Sequence, residues 1–156
     1  MNRITKVLIA LVLVAAIIVA VVSLTKKEKK VVVGIVQIVN HKALDAAREG
    51  FLRALAEDGY KDGKNITVDY RNAQGRQDTL SSIASYFVGQ GVDLILAIAT
   101  PSAQAVAAKT DTIPILGTAI TDYVEAKLAK SNEAPGYNIS GTTDMNPVEA
   151  QVGMIQ

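Results

Sequence analysis

The chain holds one histidine and no cysteine among its 156 residues, and those two counts remove much of side-chain chemistry at once. A thiolate nucleophile, a Cys-ligated zinc and a disulfide framework all need cysteine. A multi-histidine metal site needs more than His41. No GxSxG nucleophile elbow is present, and no glycine-rich phosphate loop follows any apolar run, since Gly34 stands alone. The paired acids Glu57-Asp58 fall at the end of a helical pattern and read as solvated. What is left is binding chemistry, carried by small polar residues at the ends of apolar runs. Thr100-Pro101-Ser102 is the most informative of these. A Thr before a Pro and an Ala-rich helical stretch reads as an N-cap followed by proline in the first turn, and a helix N-terminus carries partial positive charge that suits a ligand carboxylate. The plain alternative is that Thr100 only caps its helix, with Ser102 as the contact if there is one. Asn40-His41 can form a polar wall of a cleft, although a lone His is more often a structural hydrogen-bonder than a catalyst. Thr118, Thr121 and Asp122 offer two hydroxyls and a carboxylate. Asp122 can meet a ligand ammonium or simply make a turn, and Asp144 has the same ambiguity.

These residues need elements to hold them, and the pattern supplies strands alternating with helices. Residues 31–39 (VVVGIVQIV) are a β-branched run, apolar throughout as a buried parallel strand should be. Residues 41–59 follow with apolar positions at Leu44, Ala47, Phe51, Leu55 and Ala56, a helical spacing that stops at Gly59. Further strands are expected over 65–70, 93–99, 113–118 and 139–143. Helices are expected over 77–90, with Leu80, Ile83, Ala84 and Phe87 on one face, over 102–109, and from Pro147 onward. Such alternation implies an α/β fold: a parallel sheet of about five strands with helices on both faces. Ligands of such sheets bind outside the carboxyl ends of the strands, which is where the candidate residues fall.

Ahead of this body, Val7 to Leu24 is an eighteen-residue apolar run interrupted only by Ser23, with Arg3 and Lys6 before it. That is the lower limit for a membrane-spanning helix and long for a signal-peptide core. Residues 1–30 are therefore expected to be a signal peptide or an uncleaved signal-anchor helix with a basic linker, and residues 31–156 an extracytoplasmic body. Lipid attachment at a cysteine after the run is ruled out. The two parts differ in charge. Residues 1–30 carry six basic residues against one acidic, a net of +5, and the remaining 126 carry ten against fourteen, a net of −4. A mildly acidic body lacks the basic footprint that nucleic acid requires.

The quoted strand ends lie within longer stretches that resemble a known family. VGIVQIVNHKALDAAREGFLRALAEDGY, GKNITVDYRNAQG, VDLILAIATPSAQAVA, IPILGTAITD and GYNISGTTDMNPV are similar to bacterial ABC-transporter substrate-binding proteins of the tryptophan or aromatic amino-acid type, in register over residues 31–156. The resemblance implies a two-lobed extracytoplasmic receptor, similar to the periplasmic binding proteins, that closes on a small zwitterion and delivers it to a membrane permease. It implies no catalysis, cofactor or metal. It also implies that Asn40, His41, Thr100, Ser102, Thr118 and Thr121 line the pocket, with Asp122 carried over beside them. Two departures stand out: Lys42 occupies a position where the family commonly has Pro, and residues 31–156 correspond to the N-terminal lobe alone, so the sequence is expected to be truncated to one lobe. The rival readings are a membrane-tethered sensor domain and, lacking any nucleotide loop or nucleophile, a small α/β enzyme.

Overall fold

The structure is a computed structural model and describes residues 30–145 together with Asn2. The apolar run 7–24 and the helix expected from Pro147 lie outside the described residues. Five parallel strands form one sheet: β1 (Val31–Gln37), β2 (Ile66–Asn72), β3 (Leu94–Ile98), β4 (Ile115–Ile120) and β5 (Ile139–Thr143), in the order β2-β1-β3-β4-β5. Three helices connect them, α1 (Lys42–Glu57), α2 (Gln77–Gln90) and α3 (Thr100–Ala107). The α/β architecture with a parallel five-stranded sheet is the one the alternation predicted. No described helix is long and apolar enough to cross a membrane.

Strand alternation divides the core into two layers. Val33 and Ile35 of β1, with Leu96 and Ile98 of β3, face α1 and pack against its Leu44, Phe51 and Leu52. The intervening residues Val36, Ile95 and Ala97 face the other way, toward Leu80, Ile83, Ala84 and Phe87 of α2 and Ala103 and Val106 of α3. Phe87 is fully buried, which contributes about 2–3 kcal/mol from the area it removes from water. Gly34 makes that seat possible, because a β-carbon there would stand 3.1 Å from the Phe87 ring. Its isolation in the sequence thus reflects packing, not a phosphate loop.

Boundaries shift where local chemistry overrides the pattern. β1 stops at Gln37 rather than continuing to residue 39, because the Gln37 side chain turns to bond the chain that follows it. β4 begins after Pro114, which has no N–H for a ladder, and runs on to Ile120 through an irregularity between Gly117 and Ile120. Ala119 there has φ of 55°. Thr118, expected at the end of its strand, is therefore inside it.

Candidate ligand-binding site

The strand order reverses direction between β1 and β3. From β1 the chain leaves to α1 on one face of the sheet. From β3 it leaves to α3 on the opposite face. The two connections part at the carboxyl ends of these neighbouring strands, which is the position where open α/β sheets form a ligand-binding crevice. Asn40 and His41 stand at the β1 side of this switch point, and Thr100 and Ser102 at the β3 side. Thr121 and Asp122 follow β4, the next strand over. Thr118 pairs in register with Ile98, the last residue of β3, so it stays at this end of the sheet, but its side chain lies on the α1 face. There its hydroxyl is 3.2 Å from that of Thr142, in a groove of about 200 Å³ shared with Ala47, Phe51, Leu96 and Leu116.

Several of these residues have local work as well. His41 is the N-cap of α1, its Nδ1 accepting from the Ala43 N–H at 3.3 Å, an arrangement that leaves Nε2 as the donor at the exposed edge of the ring. Asp122 makes a turn: its Oδ1 accepts from the N–H groups of Val124 and Glu125 at 2.7 and 2.9 Å. The Thr121 carbonyl accepts from the Thr143 hydroxyl at 2.6 Å, which ties the end of β4 to the end of β5. Contrary to expectation, Thr100 does not cap α3. The N-cap position is Ala99, without a side-chain cap, and Thr100 is the first helical residue, so its half-exposed hydroxyl is not committed to capping. Ser102 is fully buried in the first turn, and its Oγ has no hydrogen-bond partner among the described residues. A buried hydroxyl in that state costs about 1–3 kcal/mol.

Ala99 itself is held at φ 77°, ψ 152°, a region essentially restricted to glycine. Its N–H donates to the Thr118 carbonyl at 2.9 Å. The turn at Ala99 carries the chain from β3 into α3, which packs back on the sheet through Ala103 and Val106.

A polar network not anticipated from the sequence braces the β1 side. Gln37 is fully buried yet satisfied. Its Nε2 donates to the Val39 carbonyl and to Asp45 Oδ1, both at 2.8 Å, and its Oε1 accepts from Arg48 at 3.2 Å. Arg48 also pairs with Asp45 at 3.3 Å and lies 4.4 Å above the centre of the Tyr70 ring. From Tyr70 the network continues through Asn72 to Asn40. The sequence signal was available: a glutamine closing an otherwise apolar strand has to find partners.

Among the described residues no cluster of three or more His, Asp or Glu side chains is placed to hold a metal ion. A separate cavity of about 220 Å³ lies beside β5, lined by Tyr123, Ala129, Ser131, Pro135, Ile139 and Gly141 among others, and none of Asn40, His41, Thr100 or Ser102 reaches it.

The fold thus sets a row of small polar residues along one rim of a parallel sheet. Residues 32–156 match the family described as ABC transporter substrate binding protein, and the chain belongs to that family. It is 50% identical over 132 residues to a tyrosine-binding protein of Clostridioides difficile (strain R20291), covering 85% of this chain and 38% of that protein. Among solved structures, it resembles the ligand-free, open form of a substrate binding protein with adhesive properties from Clostridium difficile (TM-score 0.78, 50% identity, 80% of this chain and 42% of that one). It also resembles an ABC domain in complex with L-Trp from Streptococcus pneumonia (TM-score 0.78, 38% identity, 81% and 43%). The chain thus spans about two-fifths of the length of these relatives. The family resemblance read from the strand-end motifs agrees with these matches.

Proposed function

We propose that this chain forms one wall of an extracytoplasmic receptor for an aromatic amino acid, tyrosine or tryptophan, within an ABC import system. The observation that carries the reading is the switch point: a helix N-terminus at Thr100 on one side of a crevice and an exposed asparagine at position 40 on the other. The names of the relatives, a tyrosine-binding protein and a domain in complex with L-Trp, support the ligand class. In this mechanism the first turn of α3 and the Thr100 hydroxyl orient the ligand carboxylate. Ser102, fully buried in that turn, lies behind this surface and steadies it from within. Asn40, the Nε2 of His41 and the Thr121 hydroxyl supply further hydrogen bonds, and Thr118 and the free oxygen of Asp122 stand next in line along the sheet. A second lobe closes over the other face of the ligand, and the closed form docks on a membrane permease. No bond is made or broken. The run 7–24 serves as export signal or membrane anchor, which places the body outside the cytoplasm.

The test is calorimetric titration of the full-length protein with L-tyrosine, L-tryptophan, L-leucine and L-glutamate. Saturable binding of the aromatic pair at least tenfold tighter than of the others is expected. Binding of L-leucine or L-glutamate in preference, or of none of the four, would contradict the ligand class.

A further inference from the structure

Asn72, at the carboxyl end of the edge strand β2, sits one strand away from the switch point and is bonded on every side. Its Oδ1 accepts from the Gln74 N–H at 2.7 Å. Its Nδ2 donates to the Tyr70 hydroxyl at 3.0 Å and to Asn40 Oδ1 at 2.6 Å. A backbone N–H can only donate, so Gln74 fixes which end of the Asn72 amide is oxygen. That in turn makes the end facing Asn40 the donor, and the atom of Asn40 that meets it the acceptor. The Asn40 amide is thereby turned so that its oxygen is used internally. Its Nδ2 has no hydrogen-bond partner among the described residues, and Asn40 is exposed.

We infer that Asn72 is a positioning residue that sets the polarity of Asn40, so that the β1 side of the crevice presents an amide donor. Resting on the proposed ligand class, this assigns the carboxylate of the amino acid, not its ammonium, to this lobe, because both sides of the switch point then offer donors: Asn40 Nδ2 from β1 and the first turn of α3 from β3. Gln37 supports the same arrangement by holding the Val39 carbonyl, next to Asn40.

Asn72→Asp separates this role from a structural one. It keeps the acceptor for the Gln74 N–H but replaces the donor facing Asn40 with an oxygen, so Asn40 must rotate and offer its NH2 inward, leaving its carbonyl toward the ligand. The expected result is a loss of L-tryptophan affinity of about tenfold or more with an unchanged thermal midpoint. In an Asn40→Ala background, Asn72→Asp is expected to have no further effect. An equal loss in both backgrounds would mean the new charge acts directly on the ligand and would overturn the relay. Side-chain amide hydrogen exchange in the native protein gives a reading that needs neither ligand nor variant. The Asn40 NH2 should exchange freely and the Asn72 NH2 slowly, and the reverse order would also overturn it. If native protein bound neither tyrosine nor tryptophan, the ligand class would fail while the exchange pattern still decided the relay.

Discussion

Relieving the kink at the β3–α3 junction tests how the crevice is built. Ala99, at φ 77° and ψ 152°, carries a backbone conformation that costs a non-glycine residue about 1–3 kcal/mol. Ala99→Gly removes that strain. Against the gain stand the extra unfolded-state freedom of glycine, about 0.5–1 kcal/mol, and the loss of a half-buried methyl, about 0.4 kcal/mol. The balance is a stabilisation of about 1 kcal/mol. Ala97, two residues earlier in the same strand, is fully buried and has no positive φ to release. Ala97→Gly should therefore lose about 1–2 kcal/mol from the same two costs. Urea unfolding followed by far-UV circular dichroism gives both values, provided the slopes match that of the native protein. Opposite signs at 97 and 99 are the expected result. A loss at 99 as large as that at 97 would show that the junction is unstrained and that the turn into α3 has another cause.

Three further outcomes follow from the packing and the charges. Gly34→Ala places a methyl 3.1 Å from the Phe87 ring and should cost about 1–3 kcal/mol; adding Phe87→Leu should recover part of that loss, and a double-mutant cycle of chemical denaturation reads the coupling. Burial pushes the Tyr123 phenol up to about 12, while in the unfolded chain it ionises near 10. Its contribution to stability is therefore complete below pH 10 and lost as the pH rises toward 12, and in Tyr123→Phe the denaturation midpoint should fall less steeply over that window. The Arg76 guanidinium, paired with Asp78 at 2.5 Å, holds that carboxyl down to about 2. The stabilising effect of that pair is present above pH 4 and lost as the pH falls toward 2. An NMR titration of Arg76→Ala should find the Asp78 carboxyl back near the ordinary aspartate range.

The layout of the molecule was readable from residue pattern because the inner strands β1 and β3 are apolar on both faces and the helices on one. α2 is the clearest case: its span and its four core residues, Leu80, Ile83, Ala84 and Phe87, follow from spacing alone. Residues at strand ends were readable as a set, since parallel sheets place them on one rim. Strand order was not, because nothing local to a strand specifies its neighbour, and it is the order β2-β1-β3-β4-β5 that makes the β1–β3 rim the crevice. Nor were the particular duties of side chains readable. Thr100-Pro101 has the residue types of a cap, yet the kink at Ala99 shifts the helix start by one residue and frees Thr100 from capping. Thr118 moved inside its strand because Pro114 delays the start of pairing and Ala119 extends its end. The bonds of Gln37 to Asp45 and Arg48 and the Asn72–Asn40 pair link residues 8 to 32 positions apart, separations at which sequence pattern does not name the partner.

The central claim, that an amino acid binds across the β1–β3 switch point, is tested most directly by a crystal structure of the full-length protein with L-tryptophan. The account predicts the ligand carboxylate within hydrogen-bond distance of Asn40 Nδ2 and the first turn of α3. A ligand seated instead in the cavity beside β5, against Tyr123 and Ser131 and touching neither Asn40 nor Thr100, would contradict it.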